Sequence, residues 1–436
     1  KKVVQPISVT LIDAETGIVE VWNRNHFTDA SQYDTRWLLE ADGNILQEGI
    51  LDLQVGPLER KMYKIPYSKP DLEEGAEYRI TVSSFLKEDK IWANEGHEVA
   101  WSQIELPWKK DKPFVEQNPG KATFSDSKKN IIVTGQGFEY KFDKNIGALT
   151  SMVVNGKEML KSPFLVSVWR APMANDLDSW GSRVAYSTNW KEGFGNFVAT
   201  EFYSTGIDQE SYYPIYTNVT EEEGKVYVNI RQITLFGATV EGQSDMYIRS
   251  LQSNGLENIY TYIIKGNGEI TIHHTLKPQG RTLPLYFPRL GLTCTLDESL
   301  NKVEWYGRGP QENYPGRKSG YKIGVYNSTV DEMYVPYIKP GDYGLRTDIR
   351  WVKMTDNEGK GLQFEINELF NFNAYPFSTE NLTKSIYTYQ LQKQKGITFN
   401  LDYATTGVGD TPRGVLRSYR VYPEIYERVI KISPIR

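Results

Sequence analysis

From Trp169 to Gly181 the chain runs Trp169-Arg170-Ala171-Pro172-Met173-Ala174-Asn175-Asp176-Leu177-Asp178-Ser179-Trp180-Gly181. Carboxylates such as Asp176 and Asp178 accept hydrogen bonds from paired hydroxyls, and an indole such as Trp180 stacks on the apolar face of a pyranose. Together with the amide of Asn175 this is the chemistry of sugar recognition. The competing reading is a loop whose Asn and Asp side chains cap its own turns. A second dense stretch spans Trp305 to Arg317. Trp305, Gly309, Pro310, Glu312, Tyr314 and Arg317 crowd into it, a composition suited to a rigid loop rather than the interior of a strand or helix.

His273 and His274 are adjacent in an alternating run, so one must point inward and one outward. Either could serve as a general base toward a sugar ring, or as a satisfied structural histidine. Glycoside hydrolysis needs two carboxyl groups roughly 5–10 Å apart across the scissile bond. With 55 acidic residues no pair is singled out. There is no nucleophile elbow, phosphate-binding glycine loop or dinucleotide fingerprint. The residues offer recognition chemistry without a visible catalytic engine.

Positioning these loops falls to β structure. Ile7–Leu11, Val19–Trp22, Arg36–Leu39 and Tyr78–Ser83 are β-branched and aromatic runs, with turns at Asp42-Gly43-Asn44 and Glu73-Glu74-Gly75. They predict an immunoglobulin-like sandwich over 1–106 that lacks paired cysteines. A Pro- and Lys-rich stretch follows, read as an extended connector over 107–121. Residues 122–436 alternate again at strand length, with almost no helical periodicity, which predicts two large stacked sheets or a barrel. The fold class expected is therefore all-β.

Composition narrows the partners. A net charge of −5 in 436 residues gives no electrostatic footprint for nucleic acid or an anionic membrane surface. One cysteine, Cys294, excludes an internal disulfide, and four histidines without ligand spacing speak against a zinc site. The 29 Tyr and 10 Trp residues suit strands first and carbohydrate contact second.

Several strings, in order, resemble the C-terminal third of a β-galactosidase of glycoside hydrolase family 2. Lys2 to Pro6 resembles the segment that leaves the catalytic barrel. Asn23 to Thr28, Arg36-Trp37 and Gly96 to Trp101 resemble the linking immunoglobulin-like domain. Trp169 to Pro172, Trp305 to Arg317, Met333 to Tyr337 and Leu401 to Gly414 resemble the large terminal domain, a supersandwich of the galactose-mutarotase type. The resemblance implies that the catalytic glutamates sit in a barrel preceding Lys1, so no catalytic residue is expected here. It implies a β-galactoside substrate, the parent's barrel as partner, a homo-oligomeric parent, and Mg and Na in that barrel with no cofactor in this portion.

The sequence departs from the family pattern at four places. Ala174 stands for the first Asp of an Asp-Asn-Asp triplet, and Gly316 for the Asp before the closing Arg. Pro340-Gly341-Asp342 stands for Pro-Gln-Glu. In Gly407 to Gly414, with Asp410, one Gly is missing and Arg413 occupies the place of a Trp on which the sugar stacks. Trp to Arg removes a flat face and installs a cation able to grip a carboxylate or sulfate, which implies a substrate other than lactose. Asn175, Asp176, Asp178, Trp180, Asp410 and Arg413 are the expected substrate-binding residues. Two other readings remain: a free-standing mutarotase-type epimerase using His273 or His274, and a carbohydrate-binding sandwich without chemistry.

Overall fold

The computed structural model describes residues 2–111, 120–177, 202–237, 253–409 and 415–436. By internal contact the chain forms two units, Lys1–Gln117 with Lys322–Val325, and Asn118–Tyr321 with Tyr326–Arg436.

The first unit is a sandwich of antiparallel sheets. One sheet orders Asn44–Ile50, Tyr33–Ala41, Tyr78–Leu86 and Glu98–Glu105; the other orders Ile7–Asp13, Ile18–Asn23 and Arg60–Lys64. Alternation decides the inward face: Val19 and Val21 of one sheet and Trp37, Leu39, Ile80 and Val82 of the other are buried in one core. Asp42 and Gly43, both at positive φ (47° and 83°), make the two-residue hairpin between Tyr33–Ala41 and Asn44–Ile50. The stretch read as a connector opens as core, because Trp108 is buried against the rings of Tyr67 and Tyr78. An indole that can be covered on both sides is worth more inside than in a linker.

The second unit stacks a five-stranded sheet on a twelve-stranded one. The small sheet orders Lys157–Glu158, Ala148–Val154, Phe138–Asp143, Asn130–Gly135 and Thr123–Asp126. The main path of the large sheet runs Leu160–Ser167, Arg289–Leu296, Ile397–Thr405, Gly361–Tyr375, Tyr426–Ile435, Ile270–Gln279, Gly255–Ile264, Lys225–Phe236, Glu210–Glu222. Lys302–Gly309, Lys322–Thr329 and Arg346–Thr355 lie off that path. The sheets share a core, with Phe142 of one meeting Tyr262 of the other edge-on at 5.0 Å. All-β is what the alternating runs require, and two stacked sheets is the form it takes.

Three neighbouring strands of the large sheet alternate in an informative way. Leu292, Phe372, Leu401 and Phe399 face the core, whereas Arg289, Asn371, Asn373, Asn400 and Asp402 occupy the other face and are nevertheless buried. A polar sheet face cut off from water must satisfy itself, and the loops that cover it are those singled out in the sequence.

Candidate functional site

Arg289, at the start of its strand, donates through Nε (2.9 Å) and Nη2 (2.5 Å) to one carboxylate oxygen of Asp402. The second oxygen of Asp402 accepts from the Thr405 hydroxyl at 3.0 Å. Burial pushes the Asp402 carboxyl up to about 6, although the adjacent Arg289 cation pulls it back. One layer further, Asp342 accepts from the Tyr314 hydroxyl (3.2 Å) and the Asn373 amide (2.9 Å). Its carboxyl too is raised by burial, against the pull of Arg289 and Arg170. Asn400 continues the network, donating to Asn373 at 2.8 Å and to the Tyr375 hydroxyl at 3.1 Å.

Above this network lies the loop 170–177. Arg170, 1% exposed, donates to the Thr406 carbonyl at 2.8 Å and faces Asp176 at 3.4 Å. Asp176, 3% exposed, also accepts from the Met173 backbone at 3.0 Å. Expected as a sugar ligand, Asp176 instead points inward and holds its own loop against Arg170. An ionised carboxylate buried beside a buried guanidinium is stabilised by the pairing, and turning it outward would leave Arg170 unpaired. Asn175 lies on the partly open side, where its amide donates to the Gly409 carbonyl. The loops 170–177 and 406–409 are thus joined twice. Asp178, Trp180, Asp410 and Arg413 lie outside the described residues.

The 305–317 stretch supplies the wall beside them. Glu312 accepts from Arg317 (2.7 Å), from the Gly344 backbone (2.8 Å) and from the Tyr337 hydroxyl. Arg317 lies 4.8 Å over the ring of Tyr314, and Tyr314 reaches Asp342. The Trp305 indole, fully buried, donates to the Arg308 carbonyl at 3.1 Å and lies under Arg346 at 5.3 Å. Arg346 donates to the carbonyls of Gly344 (2.7 Å) and Pro310 (2.9 Å), tying the Gly309-Pro310 corner to the next loop.

Two glycines set how closely these backbones approach. A Cβ on Gly341 would sit 2.5 Å from the Pro172 carbonyl oxygen, and one on Gly407 would sit 2.3 Å from that of Pro315. The departure at Pro340-Gly341-Asp342 therefore has a local logic: without a side chain at 341 the loop closes on 172, and the shorter Asp342 reaches Tyr314 and Asn373.

His274 is buried, its ring stacked 4.1 Å from Tyr260. Both ring nitrogens are occupied, Nδ1 with the Tyr403 hydroxyl at 2.7 Å and Nε2 with Asn258 at 3.3 Å. Burial lowers it to about 3, so the ring stays neutral and structural. His273 is the outward member of the pair. Neither stands in a site as a base. Among the described residues no group of three or more His, Cys, Asp or Glu is placed to hold a metal ion.

A profile of the β-galactosidase small chain matches residues 134–431, and one of β-galactosidase domain 4 matches residues 19–107. The chain belongs to the β-galactosidase small chain family. The β-galactosidase of Priestia megaterium is 29% identical over 415 residues, covering 94% of this chain and 36% of that protein. That of Halalkalibacterium halodurans is 26% identical over 406 residues, covering 92% and 36%. The chain thus spans about a third of the length of the relatives it matches. Among solved structures, galactose 1-epimerase from Lactobacillus acidophilus NCFM aligns over 72% of this chain and 98% of its own, at 9% identity and a TM-score of 0.34.

Sequence reasoning named the loops but missed the ion network beneath them. Arg289, Asp342, Asn373, Asn400 and Asp402 had one readable signal. In Asn371-Phe372-Asn373-Ala374-Tyr375 and Asn400-Leu401-Asp402-Tyr403, polar residues recur at every second place, which reads as a solvated face until a loop covers it.

Proposed function

We propose that this chain is the C-terminal portion of a glycoside hydrolase family 2 β-galactosidase and is non-catalytic by itself. On this reading it lends the loops 173–180 and 407–414 to the rim of an active site built on the parent's barrel. The observation that supports it most is the asymmetry of coverage, 94% of this chain against 36% of the Priestia megaterium β-galactosidase. The self-satisfied carboxylates support it as well, since Asp176, Asp342 and Asp402 are all engaged inside the fold. Asn175, Asp178, Trp180, Asp410 and Arg413 are the residues assigned to the β-galactoside, with Arg413 favouring an acidic group on it. The Mg and Na of the parent, and its homo-oligomeric contacts, are assigned with the barrel.

Hydrolysis of a nitrophenyl β-galactoside by the isolated chain and by the full-length parent tests this. Activity in the parent and none in the isolated chain is the expected result. Turnover by the isolated chain overturns it.

A further inference from the structure

A cavity of about 570 Å³ opens on the second unit, within the size range of roughly 300–1,000 Å³ typical of small-molecule sites. Trp169, Asp208, Glu210, Thr293, Thr383 and Asn400 are among the residues that line it. None of Arg170, Asp176, Tyr314 or Asp342 does, so the cavity lies apart from the covering loops and shares only Asn400 with the network beneath them. Its floor is the polar face of the sheet, where Thr293 and Asn400 are cross-strand partners and the Thr293 hydroxyl donates to Asn400 at 2.8 Å. A packing void in a core is lined by apolar groups. Here an indole, two amides, hydroxyls and three carboxyls converge.

Glu210 is the fixed point of this lining. One carboxyl oxygen accepts from the Val168 backbone at 2.7 Å and the other from the Tyr212 hydroxyl at 3.1 Å. The Trp169 indole donates to the Thr383 hydroxyl at 3.2 Å, which fixes the helix Thr379–Lys384 at the cavity wall. These groups are held before any ligand arrives, which lowers the entropy cost of binding one. The charge pattern selects the ligand. An anion finds no uncommitted cation in the lining, because Lys384, its basic group, is already paired with Glu380. Burial raises both Glu210, to about 7, and Asp208, so the cavity disfavours the ionised carboxylates that a cation needs. A carboxyl that can be protonated near neutrality both donates and accepts, as a hydroxyl partner requires.

We propose that this cavity binds a neutral polyol of monosaccharide size, with Glu210 and Thr293 taking its hydroxyls and Asn400 holding the Thr293 hydroxyl in place. The site is independent of the barrel-rim reading, and the isolated chain suffices to test it.

Saturation-transfer NMR of the full chain with D-galactose, D-glucose and D-glucosamine reads the binding directly. Transfer to a neutral hexose, with a dissociation constant on the order of millimolar, is the expected result. Thr293→Leu fills the cavity without unpairing a buried charge and weakens binding at least tenfold. Glu210→Gln, which still donates and accepts, keeps it within a few fold. A folded Thr293→Leu chain, by far-UV circular dichroism, that binds as the wild type does overturns the proposal. So does absence of transfer to both neutral hexoses, or tighter binding of the cationic glucosamine than of either.

Discussion

The side-chain amide of Asn175 donates to the backbone carbonyl of Gly409, joining two loops 234 residues apart in sequence. Arg170 and the Thr406 carbonyl make a second tie between the same loops. If these loops form part of a substrate rim in the parent, Asn175 sets their spacing as well as facing the glycoside, and takes no part in the bond-breaking step. Asn175→Ala in the full-length enzyme is then expected to raise KM for a β-galactoside about three- to tenfold, the effect of one lost hydrogen bond, with kcat nearly unchanged. Steady-state kinetics check this, and a fall confined to kcat would contradict it.

Glu312 is a junction of three donors on three segments, Arg317, Tyr337 and Gly344. Removing its carboxylate leaves the Gly344 amide and two side chains without their acceptor. Glu312→Ala should cost roughly 2–4 kcal/mol of stability, measured as a shift of the urea midpoint at constant slope. Glycan affinity should move much less than stability.

The pair Arg289 and Asp402 is buried on both sides, at 2% and 1% exposure. Asp402→Ala strands a guanidinium in the interior and is expected to destabilise by about 3–5 kcal/mol. Arg289→Met combined with Asp402→Leu should recover part of that loss, since the double change removes both charges. Chemical denaturation of the three variants decides it.

Glu210 gives the fold a pH dependence of definite sign. Its carboxyl stands at about 7 in the folded chain against an ordinary value of 4.5, so between those values the folded chain keeps a proton the unfolded chain has lost. Stability therefore falls as pH rises through that window, and the loss is complete above it. Asp208 and Asp402, both raised by burial, act in the same direction, while Tyr212 and Arg289 are the other ionisable groups acting on Glu210. Glu210→Gln should raise the melting temperature relative to wild type at pH 8 but not at pH 4.5. Calorimetry at the two pH values reads the difference.

The sequence made the strands legible because period-two alternation is a local property. The runs around Val19, Trp37 and Ile272 all bury the residues their pattern assigns inward. The hairpin at Asp42-Gly43 was legible for the same reason, since positive φ favours those residue types. Asp176 was not. An aspartate in a loop reads as exposed until a specific cation is placed beside it, and nothing local shows that Arg170 folds back on it. Glu210, at the start of Glu210–Glu222, accepts from the backbone of Val168, which follows the end of Leu160–Ser167 and lies 42 residues earlier, a pairing no local pattern announces. The His273 and His274 alternation told which way each ring points only after the sheet had a core side.

The strand Tyr426–Ile435 lies in the middle of the large sheet, pairing with Gly361–Tyr375 on one side and Ile270–Gln279 on the other. It follows every other strand of that sheet in sequence, so a ribosome delivers it after all of them. Until it emerges, its two neighbours each present an open edge, and the nascent sheet exists as two halves awaiting a keystone. This unit can close only once that strand has emerged, and the waiting edges are where a chaperone has most to protect.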